Sequence, residues 1–163
     1  SAQIKKSIDC LESIEDPYEI LEAKTPEGEY ILSRYHQINK DYESLLRKAL
    51  KIKPVDGLFV FTYPETKMSF TGILANEIIH KIKSTIIIIG RKKGSNYRLS
   101  LRSTTEKVPI LPILNKSIEG LDGYGGGHIM ACGANISEND FPTFIERVKE
   151  ELKKIWGNFY VYY

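Results

Sequence analysis

Apolar positions recur along this chain in two different periods, and the switch between them divides it. Ile4, Ile8 and Leu11 stand at helical spacing until Asp16-Pro17 interrupts them, because proline lacks an amide donor and clashes with the preceding turn. A short helix is expected around Tyr18 to Lys24, then a turn at Thr25-Pro26-Glu27-Gly28. Ile31, Tyr35, Ile38, Tyr42, Leu45, Ala49 and Ile52 step by four and three, marking a long amphipathic helix closed by Pro54 and Gly57.

Past Gly57 the pattern becomes extended. Leu58-Phe59-Val60-Phe61 is a β-rich run ending at Tyr63-Pro64. Ser69 to Gly72 offers capping hydroxyls ahead of Leu74, Ile78 and Ile82, so a helix is predicted from about residue 72. Ile86 to Ile89 is apolar on both faces, as in a strand covered on both sides. A polar turn from Arg91 to Asn96 leads into strict alternation, with Tyr97, Leu99 and Leu101 on one face and Arg98, Ser100 and Arg102 on the other. A short apolar helix is expected beyond Pro109 and Pro112, then a glycine-rich segment at 123–128. Phe141, Phe144 or Ile145, Val148, Leu152 and Ile155 form a last helix, capped near Asn139 or Asp140 with Pro142 in its first turn. Strands alternating with helices define an α/β fold, a mixed β-sheet flanked by helices and preceded by a helical linker. Residues 1–53 form that linker, 54–157 the sheet domain and 158–163 a tail.

Composition narrows the class without naming it. A chain of 163 residues holds one ordinary domain with an appendage. Hydrophobic residues at 42% and charged residues at 27% place it among globular proteins rather than disordered or fibrous ones. Cys10 and Cys132 lie far apart without zinc-ligand spacing, which argues against a disulfide framework or a structural metal. With no signal peptide and no apolar run of membrane-spanning length, a cytoplasmic location is expected. The chain opens Ser1-Ala2 without methionine, so a preceding segment is expected too.

The net charge of +2 conceals a polarity. Residues 1–30 carry three basic side chains against eight acidic ones, whereas residues 81–116 carry nine basic ones against Glu106 alone. Such a stretch is either a solvated cationic face or a site for a polyanion. Two features inside or beside it carry the second reading. Gly125, Gly126 and Gly127 cost folding entropy, so backbone there is expected to bend or to approach a ligand, as a loop whose amides cradle phosphate beside His128. No strand leads into it with the spacing of a dinucleotide fingerprint. Arg102 is the foremost candidate, since a guanidinium grips phosphate through two parallel hydrogen bonds; Arg98 and Arg102 could equally be an exposed polar strand face. The hydroxyls of Ser100, Ser103, Thr104 and Thr105 could help position the anion or end the strand.

These residues carry a resemblance. YGGGHIMACGA at 124–134, preceded by YRLSLRS at 97–103 and by FTGILANEI at 70–78, resembles the DHH-associated domain of DHH-family phosphoesterases, in the RecJ-like branch. That domain is the substrate-binding half of RecJ-type single-strand exonucleases, oligoribonucleases and cyclic-dinucleotide phosphodiesterases. The resemblance implies that Arg102, His128 and Gly125, Gly126 and Gly127 grip substrate phosphate, with Ser100 and Ser103 nearby. It also implies single-stranded DNA or RNA, or a short oligonucleotide or dinucleotide, as partner, and no membrane.

The family's aspartates and Asp-His-His triplet, which hold manganese, are nowhere in this sequence. No catalytic residue, metal ligand or cofactor is therefore expected in this chain; manganese would belong to a DHH domain N-terminal to it in cis, with residues 1–53 as the connection. His36 and His80 are expected on helix surfaces. Two other roles fit the same resemblance: a non-catalytic replisome scaffold with a decayed metal site, and a transfer-RNA-binding appendage like the alanyl-tRNA synthetase C-terminal domain, whose glycine-rich segment typically lacks the histidine.

Overall fold

The structure, a computed structural model, describes residues 2–160. Its contacts divide the chain into residues 1–45 and 46–163. The first unit contains α1 (Ala2–Ser13), α2 (Pro17–Leu21) and most of α3 (Pro26–Ala49). α2 starts on a capping box: Tyr18 N donates to Asp16 Oδ1 at 2.9 Å, and Asp16 N donates back to Glu19 Oε1 at 3.0 Å. Asp16 N and Glu15 N, both donating to Glu19 Oε1, hold its carboxyl below the usual range. The boundary between these units falls inside α3.

The second unit is built on five strands. They are β1 (Leu58–Tyr63), β2 (Ile86–Lys93), β3 (Asn96–Ser103), β4 (Gly123–His128) and β5 (Ala131–Ser137), in the spatial order β1-β2-β3-β5-β4. β1 and β2 are parallel and joined by α4 (Thr71–Lys81); every other pairing is antiparallel. α5 (Ile110–Ile118) precedes β4, and α6 (Phe141–Tyr160) follows β5. The sheet is thus mixed and flanked by helices. Residues 158–160 continue α6, and 161–163 of the expected tail lie outside the described residues.

Strand alternation gives the sheet two unlike faces. Ile86, Ile88, Leu99, Leu101, Cys132 and Ile136 join Ile110, Ile113 and Leu114 of α5 and Phe144, Val148 and Leu152 of α6 in one core. Phe59, Phe61, Tyr63, Ile87 and Ile89 lie on the other face, where α4 contributes buried Leu74, Ala75 and Ile78. Ile86 to Ile89 are completely buried, as expected of a strand covered on both sides.

α4 packs on β2 and β3. Among the described residues it does not extend over β5 and β4, and the chemistry collects on that part of the face. Among the described residues no helix is long and apolar enough to cross a membrane.

Candidate functional site

Directly paired residues in an antiparallel ladder present their side chains on one face, so the register of β3, β5 and β4 reads out the open surface in rows. Arg102 pairs with Ala131, and Ala131 with His128. Ser100 pairs with Gly133, and Gly133 with Gly126. Arg98 pairs with Asn135, and Asn135 with Tyr124. Successive rows are two residues apart, about 6.8 Å, and the strands are about 4.8 Å apart. Arg102 and His128 therefore stand about 10 Å apart at the backbone with only an alanine methyl between them, close enough for both side chains to meet one anion above Ala131.

The glycine-rich segment is strand β4, not the expected loop, and β5 separates it from β3. Its three glycines have different reasons. A Cβ on Gly127 would lie 2.5 Å from Ala131 O and 2.8 Å from Cys132 Cα, and its φ is +149°; the β4–β5 hairpin demands glycine. A Cβ on Gly125 would lie 2.9 Å from Ala134 Cβ and 3.0 Å from Leu114 Cδ2, because α5 packs close against that side. Gly126 is different: a Cβ there would meet nothing within 4 Å. Gly133, its partner, would have only Leu99 O at 3.8 Å. Packing leaves room for a side chain at both positions, and the middle row of the face is bare peptide beside Ser100.

α4 forms one wall of this floor. A Cβ on Gly72, in its first turn, would lie 3.9 Å from Ser100 Oγ, and Asn76 one turn on accepts a 3.0 Å hydrogen bond from Arg102 Nε. Arg102 Nη1 also donates to Leu101 O at 2.9 Å. The N-cap residue of α4, Phe70, gives no side-chain cap, and its amide donates to the Tyr63 hydroxyl at 2.8 Å; the positive end of the helix dipole lies beside Ser100. Among the described residues, the side chains of Arg98, Ser100, Tyr124, His128 and Asn135 make no hydrogen bond or ion pair. β3, β4 and β5 contain no aspartate or glutamate at all. The result is a cationic, polar surface on which only Arg102 spends donors within the fold, among the described residues.

Two positions depart from the expected grouping. Ser103 falls on the opposite face by alternation, is buried, and donates from Oγ to Thr105 O at 2.9 Å; it shapes the exit from β3 and does not line the open surface. Arg91, in register with Arg98, is buried at 6% exposure, with Nη1 donating to Thr66 O at 3.3 Å and Nε without a partner. The basic stretch is thus not uniformly solvated. Burial raises the Tyr63 phenol, and the Arg91 charge partly opposes that rise.

His36 and His80 are exposed on α3 and α4. No group of three or more His, Cys, Asp or Glu among the described residues could hold a metal ion, so the residues present do not fit a dinuclear metal centre.

With this geometry established, the sequence comparison is specific: residues 56–154 match the DHHA1 domain. The chain belongs to the DHHA1 family. No curated protein matches it by sequence, whereas solved structures share its fold. RecJ from Thermus thermophilus in complex with Mg2+ matches with a TM-score of 0.65 and 21% identity over 92% of this chain and 23% of RecJ. The pGpG-specific phosphodiesterase PggH from Vibrio cholerae gives 0.56 and 13% over 80% of this chain and 44% of the enzyme. The C-Ala domain of Aquifex aeolicus alanyl-tRNA synthetase gives 0.51 and 21% over 58% of this chain and 89% of that domain. This DHHA1 chain spans under a quarter of that RecJ and under half of the phosphodiesterase.

Proposed function

We propose that the open face of β3, β5 and β4 binds the phosphates of single-stranded nucleic acid or a short oligonucleotide, as the substrate-binding part of a RecJ-like DHH phosphodiesterase. The observation that carries this reading is the polar surface of Arg98, Ser100, Asn135 and His128, whose side chains have no partner among the described residues, around a glycine floor that packing does not require. Arg102 and His128 take one phosphate oxygen each over Ala131, the guanidinium through charge-assisted hydrogen bonds. Ser100 donates from the next row, and the bare peptide at Gly126 and Gly133 lets a sugar-phosphate chain lie against the sheet.

A water nucleophile at a phosphodiester needs metal ligands, and the described residues bring no such group together. Its part in the reaction is to bind and orient, and the manganese-binding DHH domain provides the rest. The kinship with the exonuclease RecJ, which binds manganese, and with a phosphodiesterase specific for pGpG supports a nucleotide ligand.

The test is a double-mutant cycle with a fluorescent oligonucleotide at fixed ionic strength. Arg102→Ala is expected to cost about 1.5–3 kcal/mol, the range for a charge-assisted bond. His128→Ala weakens binding as well, and the two losses are non-additive because the groups share one phosphate. Lys92→Ala is the control: Lys92 alternates to the opposite face and is paired with Glu138 at 2.5 Å. Equal, small and additive losses at all three positions would reduce the domain to a basic surface.

A further inference from the structure

We propose that Tyr124 and Asn135 form a nucleobase subsite, so that this face takes nucleotides in preference to base-free phosphate chains. The inference rests on the phosphate-binding reading above and names what lies beyond the phosphate.

The third row of the face is chemically unlike the first. Arg102 and His128 present charge, whereas Arg98, Asn135 and Tyr124 present a cation, an amide and an aromatic ring side by side. Tyr124 is 72% exposed, and among the described residues its hydroxyl has no partner and no other ring stacks on it. An aromatic side chain normally buries most of its area, and Tyr97 on the covered face does so in part, with its ring 4.5 Å from that of Phe141. Tyr124 instead stands beside Gly126, whose missing side chain leaves the approach to the ring open. Every base has a π-face, so a free ring next to a phosphate site is a stacking surface. Asn135 adds a donor and an acceptor, the pattern that pairs with a base edge. A ring face and an amide oxygen acceptor are more than a bare phosphate uses, because a phosphate only accepts hydrogen bonds.

Spacing agrees with this division. Tyr124 and His128 lie four positions apart on β4, about 14 Å. A phosphate held by Arg102 and His128 sends its sugar across the glycine row and places a base at Tyr124, while Arg98 stands free for the following phosphate. The three strands themselves carry no carboxylate to repel that chain.

The experiment uses the 163-residue chain with two fluorescent probes of equal length and charge, an oligothymidylate and an abasic deoxyribose-phosphate oligomer. The wild type is expected to prefer oligothymidylate. Tyr124→Ala lowers its affinity on the order of ten-fold, the effect of removing one stacked base, and leaves the abasic probe unchanged. Tyr124→Phe keeps most of the preference, since the ring and not the hydroxyl carries it. Asn135→Ala narrows it. Thermal melts verify that these exposed substitutions leave folding intact. The subsite is overturned if the wild type binds both probes equally, or if Tyr124→Ala changes both or neither. Arg102→Ala is the independent arm: it weakens both probes if the phosphate reading holds, and loss of neither would sink that reading whatever Tyr124 does.

Discussion

Arg102 is held to α4 by Asn76, whose Oδ1 accepts a 3.0 Å hydrogen bond from the guanidinium Nε. The partner is an amide and not a carboxylate, so the side chain is oriented while its charge stays available. An aspartate in that place would offer the same acceptor geometry and neutralise the ligand's partner.

That distinction is testable. Asn76→Asp is expected to change thermal stability by less than about 1 kcal/mol, the worth of an exposed ion pair. Its oligonucleotide affinity should fall about as far as that of Arg102→Ala. Asn76→Ala, which frees the arginine without neutralising it, should fall less. Binding titrations of the three variants rank them, and an Asn76→Asp protein that binds like wild type would show that Arg102 does not meet the phosphate.

The glycines of β4 should separate folding from binding. Gly127→Ala forces a Cβ against Ala131 O at a positive φ and is expected to lose about 1–3 kcal/mol of stability. Gly126→Ala meets no atom, so the melt should hold or rise by up to about 1 kcal/mol, since alanine loses less entropy than glycine. Oligonucleotide affinity should nevertheless drop, because the methyl stands on the floor that the chain must cross. Denaturation and binding curves on the same two proteins decide it.

Alkaline pH should weaken the domain. Burial raises the Cys132 thiol, which Arg102 partly opposes, and burial likewise raises the Tyr63 phenol. Each group keeps its proton longer folded than unfolded. Their contribution is intact below the unfolded values, about 8.5 for cysteine and 10 for tyrosine, and is lost as pH rises from there through the raised folded ones. Melting temperatures between about pH 7 and 10.5 should decline, and less steeply for Cys132→Ser. At neutral pH a maleimide should label Cys10, which is partly exposed, and spare buried Cys132 until denaturant is added.

The chain by itself should not hydrolyse phosphodiesters. Among its described residues there is no carboxylate and histidine cluster for a metal. A labelled oligonucleotide incubated with rigorously purified chain and manganese should remain full length, and metal-dependent turnover would require ligands that this surface lacks.

The strand periods made the Arg98, Ser100 and Arg102 face legible in the sequence, because alternation is a local consequence of the pleat. Ile86 to Ile89, apolar at every position, announced a doubly covered strand for the same reason. The helical repeats of α3 and α6 were visible too, although α3 stops at Ala49 while its apolar stripe runs on to Ile52. Other features depend on distant partners. Ala131 to Ser137 is poor in β-formers, so β5 did not stand out; pairing on both sides makes it a strand. That strand turns the glycine segment from an expected loop into β4 and carries His128 to the Arg102 row. Three adjacent glycines look alike in sequence. Only the approach of α5 and of the β5 backbone shows that Gly125 and Gly127 serve packing while Gly126 leaves a floor open. Tyr124 gave no signal for the same reason: a lone tyrosine reads as core or surface until the register sets it beside Asn135, with no helix above it. The chain's own periodicity thus determined which residues share a strand face, and tertiary structure decided which strands lie side by side, because register is a long-range pairing that no local pattern encodes.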